Sequence, residues 1–319
     1  MEVFNHQAAA LAEITARARA YYEGTWRKLP IRARFHSLLV GPTGCGKTAL
    51  ATMVAQALAT KSMAVTTVRV SVPGWVPAGA TGRSVAETIE TIAQAVDRNE
   101  KTLLILDELD KTCAPSSDSF SSSDSPWQQH CRLEIYELLD GHWPRGLKIP
   151  ETDIDDDVTT DEIRRREQLT QKLQETVFIL AIGTFQSFFD SAPSRRVIGF
   201  HGDSDTEQAE ISLDVIADRL PRELINRFSG LIRLPELRAD DYRLIACHAE
   251  ETLPEKIRQA FRQEVDRRIH SAILAKKGVR FIEEALLEVL KSLPPEPPIK
   301  LSLPLSLSPK TDPIDTCIQ

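Results

Sequence analysis

Short apolar runs that stop abruptly at a glycine or an acid, separated by stretches with helical spacing, set the pattern of this chain. Residues 36–40 (HSLLV) end at Gly41, residues 103–106 (LLIL) end at Asp107, and residues 177–182 (VFILAI) end at Gly183. Runs of this length read as buried strands. Residues 65–72 add a β-branched strand and residues 231–234 a short one. Between them, residues 7–22, 49–59, 85–96, 133–139 and most of 213–228 carry helix-forming patterns. Strands alternating with helices predict an α/β fold, a parallel sheet with helices on both faces. From 240 to 292 the period is helical throughout, so a small all-α unit is expected. The boundaries drawn are 1–235 for the α/β domain, 236–292 for the helical unit and 293–319 for a tail.

Composition changes this picture at three places. Residues 116–125 hold seven serines and residues 151–162 seven acids with no basic residue, and both read as solvated insertions. Residues 161–175 (DEIRRREQLTQKLQE) suggest a charged helix leading into the strand at 177. The tail is proline-rich and expected to be disordered. With 39 basic against 46 acidic residues the net charge is −7, which argues against a strongly basic nucleic-acid coat protein. The acidic insertion accounts for that total, so the rest of the chain is near neutral and a local basic patch is compatible with it. The longest uncharged apolar stretch, residues 176–189, is shorter than the roughly 20 residues of a membrane helix. Five scattered cysteines without a C-x-x-C pair argue against a zinc site or a disulfide framework. A reducing, cytoplasmic setting without a membrane partner is expected.

The chemistry gathers at the strand ends. Gly41-Pro42-Thr43-Gly44-Cys45-Gly46-Lys47-Thr48, followed by Ala49, fits G-x-x-x-x-G-K-[ST] between a strand and a helix. Glycines let backbone N–H groups turn inward on phosphate oxygens, and the helix start adds its positive end. Lys47 is suited to the β- and γ-phosphates and Thr48 to Mg²⁺. Cys45 is expected to matter through its backbone. Asp107 and Glu108, at the end of a second strand, place two carboxylates at the sheet edge where open α/β sheets bind ligands. Asp107 is the further metal candidate and Glu108 the candidate general base on water.

GPTGCGKT followed by LLILDELDK resembles the Walker A and B motifs of the AAA+ ATPases, and within them the ClpX-like Clp unfoldases, over roughly residues 36–290. The resemblance implies a P-loop NTPase fold with a helical lid, ATP and Mg²⁺ as ligands, and a homo-oligomeric ring, most simply a hexamer. It makes Trp75 and Val76, after Pro73-Gly74, a pore loop that grips polypeptide. The serine-rich run takes the place of a second pore loop. Thr184 becomes a sensor of the γ-phosphate. Arg227, in NRF, becomes the arginine finger to a neighbour's ATP, with Arg222 as runner-up. Arg280 becomes the lid's sensor arginine. Ile198-Gly199-Phe200 resembles the loop that docks on a ClpP-like peptidase. Without a cysteine pair, an N-terminal zinc-binding domain like that of ClpX is not expected.

The implied activity is ATP-driven unfolding or remodelling of polypeptides threaded through a ring. Two alternatives stand beside it. One is an AAA+ motor or loader acting on nucleic acid, for which Arg32, Arg34 and residues 164–166 speak. The other is a nucleotide-binding switch.

Overall fold

A computed structural model describes residues 4–28, 35–59, 63–76, 87–112, 126–144, 147, 160–185 and 221–292. The serine-rich run, residues 151–159 of the acidic insertion, Ile198, Gly199, Phe200 and the proline-rich tail lie outside them.

Five parallel strands form one sheet in the order β2-β3-β4-β1-β5. They are β1 (Ser37–Val40), β2 (Thr66–Ser71), β3 (Thr102–Asp107), β4 (Val177–Gly183) and β5 (Gly230–Arg233). Every residue of β1, β3 and β4 is buried, which is why these strands read as unbroken apolar runs. β2 is an edge strand with mixed exposure, and its sequence alternates accordingly.

Successive residues point to opposite faces. Leu38, Val40, Leu104, Leu106, Ile179 and Ala181 share one core with α3 (Glu87–Arg98), α4 (Pro126–Leu139) and α5 (Thr160–Thr176). Leu39, Leu103, Ile105, Phe178, Leu180 and Ile182 share the other with α1 (Asn5–Glu23) and α2 (Lys47–Ala59). The α/β fold expected from the pattern is therefore present. Two helices differ from their expected bounds. α4 begins seven residues early, because its polar first turns carry Trp127 and Cys131 inward at helical spacing. Of residues 213–228, the described part holds only the short α6 (Arg222–Ile225).

β5 pairs with β1, and the pairing runs on past the strand, with Leu234 N–H donating to Val40 O at 2.8 Å. The chain then enters α7 (Ala239–Thr252), α8 (Glu255–Leu274) and α9 (Arg280–Ser292). These three helices enclose a core of their own around Tyr242, Phe261, Val265 and Phe281.

Candidate functional site

The loop between β1 and α2 closes around its own lysine. Lys47 Nζ donates to Gly41 O at 2.8 Å and to Pro42 O at 2.7 Å. The ammonium is buried, which lowers its pKa, while Cys45, Asp110 and Asp107 nearby pull it back up. The carbonyls further along the loop are held from outside. Val279 N–H donates to Gly44 O at 3.0 Å, His6 Nε2 lies 3.3 Å from Cys45 O, and Gln7 Nε2 donates to Gly46 O at 3.4 Å. Carbonyls committed outward leave the loop N–H groups for an anion. His6 and Gln7 were not expected in this role. On an alanine-rich helix, only their place in its first turn sets them apart.

Two strand ends and the first turn of α2 meet beside this loop. Thr48 Oγ1 donates to Asp107 Oδ2 at 3.2 Å, and Thr184 N–H donates to Asp110 Oδ1 at 3.2 Å. A hydroxyl and a carboxylate that already touch are oxygen donors of the kind Mg²⁺ selects, so these residues fit the metal. Glu108 N–H donates to Asp107 Oδ1 at 3.0 Å, and the Glu108 carboxylate is exposed with no partner among the described residues. Its backbone sits at φ 60°, in the left-handed region. That conformation costs a non-glycine residue about 1–2 kcal/mol. Asp110, which points back toward Lys47, is a further acid of the site. Its signal in the sequence was only its nearness to Glu108.

The helical unit rests directly on the loop. Gly44 (φ 77°) and Gly278 (φ 65°) stand backbone to backbone, and a Cβ on Gly278 would lie 2.5 Å from Gly44 Cα. Two glycines are needed here because the conformation and the approach both exclude a side chain. Tyr242 Oη accepts the Gly278 N–H at 2.9 Å, and Lys276 pairs with Glu236 at 3.1 Å on the segment leaving β5. Arg280 opens α9 two residues after the contact. Its guanidinium is exposed and has no partner among the described residues.

Arg227 is held within its own chain. Its Nε donates to Asp140 Oδ2 at 3.0 Å, and the guanidinium lies 4.3 Å over the Tyr136 ring. Arg222, at the start of α6, is exposed.

The gripping role expected of Trp75 is corrected. The indole is 1% exposed and packs in the core between the sheet and α4. Its Nε1 donates to the buried Glu134 Oε2 at 2.6 Å, and its carbonyl accepts Trp127 Nε1 at 3.0 Å. An indole with an apolar body and a single donor is satisfied by such a site, and this one is closed to solvent. Val76 is half-buried, with its N–H donating to Thr88 Oγ1 at 3.0 Å.

The cysteines give a direct test of this packing. Burial raises the Cys45 thiol and pushes Cys131 up to about 12, whereas Cys247 is exposed. Against an ordinary thiol near 8.5, Cys131 thiolate is scarcer by about three orders of magnitude. Iodoacetamide at pH 8 is expected to label Cys247 in the native protein, and Cys45 and Cys131 only after denaturation. Peptide mapping checks this, and rapid native labelling of Cys45 contradicts it.

The family model for ATPases associated with various cellular activities (AAA) matches residues 37–196, half of the chain.

Proposed function

The chain belongs to the AAA family of ATPases, and from that premise we propose that it is a ring-forming motor of the Clp type, coupling ATP hydrolysis to unfolding or remodelling of polypeptides. The observation that carries this reading is the seating of the lid on the phosphate loop through Gly44 and Gly278. A nucleotide bound by that loop lies at the joint between sheet and lid, so loss of its γ-phosphate changes their relation. That is what a motor requires.

In this reading Lys47 and the loop N–H groups bind the β- and γ-phosphates, and Arg280 reaches them from the lid. Thr48 and Asp107 would hold Mg²⁺, which would supply neutralisation of phosphate charge. Glu108 accepts a proton as water attacks the γ-phosphorus and the bond to the ADP oxygen breaks. Thr184 orients that water or the γ-phosphate. Arg227 leaves Asp140 and stabilises the transferring group on a neighbouring subunit, which makes a ring, most simply a hexamer, the active form. Residues 1–235, 236–292 and 293–319 serve as motor domain, lid and tail. Ile198-Gly199-Phe200 is the candidate contact for a ClpP-like peptidase, and the cytoplasm is the expected compartment.

A complementation experiment tests the arrangement. Arg227→Ala is expected to lose about 10³-fold or more in turnover, and Lys47→Ala to be inactive. Mixed together they regain activity, because each supplies what the other lacks across the interface. Failure of the mixture while the separate rings assemble overturns the trans role.

A second reading, a motor on nucleic acid, gains from the burial of Trp75, which removes the aromatic grip, and from the exposed Arg164 and Arg166 on α5. Stimulation by an unfolded polypeptide supports the first reading. Stimulation by single-stranded DNA that falls steeply with salt supports the second.

A further inference from the structure

The oxygen of Asp107 that faces Thr48 is already taken by a cation of the protein. Arg69 donates to Asp107 Oδ2 from Nη2 at 2.6 Å and from Nε at 3.1 Å, and Thr48 Oγ1 donates to the same oxygen at 3.2 Å. The other oxygen, Oδ1, accepts the Glu108 N–H. Three donors thus converge on one atom, where an arginine normally spreads its fork over both oxygens of a carboxylate. Arg69 comes from edge strand β2, in register with Ile105, and reaches along β3 to its end. Its side chain is 57% exposed, whereas that of Asp107 is 8% exposed. The buried carboxylate is fixed, and the arginine has solvent to retreat into. Nothing in the sequence singled Arg69 out.

We infer that Arg69 is a built-in stand-in for the divalent cation, a positioning residue that holds Asp107 and Thr48 together in the nucleotide-free protein and must give up Oδ2 when the metal arrives. The inference rests on the reading of Thr48 and Asp107 as the Mg²⁺ site. A guanidinium and a divalent ion on one oxygen repel each other, so the two compete. The pairing keeps a buried carboxylate from standing unpaired when no metal is bound. It also raises the Mg²⁺ concentration at which the metal contributes to nucleotide binding.

The test is an Mg²⁺ titration of the full chain with a fluorescent ADP, read by anisotropy. Arg69→Met and Arg69→Gln, both checked for native fold by near-ultraviolet circular dichroism, are expected to lower the Mg²⁺ midpoint about fivefold, the scale of one ion pair whose arginine is open to solvent. Arg69→Lys is expected to restore a midpoint near wild type. Binding in EDTA is expected to be unchanged in all three. An unmoved midpoint in the Met and Gln variants overturns the role of Arg69. Equal weakening with Mg²⁺ and in EDTA also overturns it, and makes Arg69 a phosphate ligand instead. Thr48→Ala separates the two levels. If it raises the midpoint, the metal reading stands whatever Arg69 does. If it leaves the Mg²⁺ dependence unchanged, the metal reading itself fails, and this inference fails with it.

Discussion

Glu108→Gln is expected to keep ATP bound and to stop its turnover, by about 10²–10⁴-fold in kcat. The amide has the shape of the carboxylate and accepts hydrogen bonds, but it takes no proton from water. Among the described residues, nothing else in the site pairs with that charge. The carboxylate is exposed without a described partner, and the bond that positions the residue runs from its backbone N–H to Asp107. The strained φ of 60° is the same for either side chain. Stability is therefore expected to stay within about 0.5 kcal/mol of wild type. Phosphate release measured beside binding of a fluorescent nucleotide separates the two effects. Full turnover by the variant removes Glu108 as the base.

Gly278→Ala is expected to weaken nucleotide binding by about 10²-fold, roughly 2–3 kcal/mol. The new methyl would stand 2.5 Å from both Gly44 Cα and Gly44 O, atoms of the backbone that no rotamer change can move aside. Its φ of 65° adds about 1–2 kcal/mol of strain. Relief comes by lifting the turn off the loop, which breaks the 3.0 Å bond from Val279 N–H to Gly44 O. A lost hydrogen bond of this kind is worth about 1 kcal/mol. The sheet should be untouched, because its two cores share no residue with the core of the helical unit. Lys277→Ala, an exposed change in the same turn, is the control and is expected to have little effect. Isothermal titration with ADP reads both. Wild-type affinity in Gly278→Ala would show that the lid contact does not serve the nucleotide.

The parts of the molecule legible in the sequence are those governed by local rules. β1, β3 and β4 announce themselves because burial on both faces demands unbroken apolar runs. The phosphate loop is legible because glycine spacing and one lysine carry its geometry. Residues 161–175 read as a charged helix because, among its residues whose burial is described, only Leu169 and Leu173, one stripe, are buried. Trp75 was misread because an aromatic residue after a glycine turn points inward or outward equally well. The choice is made by Glu134, 59 positions away in the chain. His6, Gln7 and Arg69 escaped for the same reason. Each acts through a partner distant in sequence, and none has a neighbour pattern that marks it.

The continuation of β5 beyond its last strand residue has a mechanical consequence. Leu234 is fastened to Val40, the residue just before the phosphate loop, and the Gly41 Cα is so close to Leu234 O that a Cβ there would stand 2.7 Å away. The root of the lid is thus bolted to the root of the loop, and its far turn touches the loop again at Gly44. The segment between, pinned by Glu236 to Lys276, is a fulcrum placed almost beneath the load. In the proposed motor, a lever so arranged would convert a displacement the size of one phosphate–oxygen contact into a swing that grows along α8, the longest of the three helices after β5.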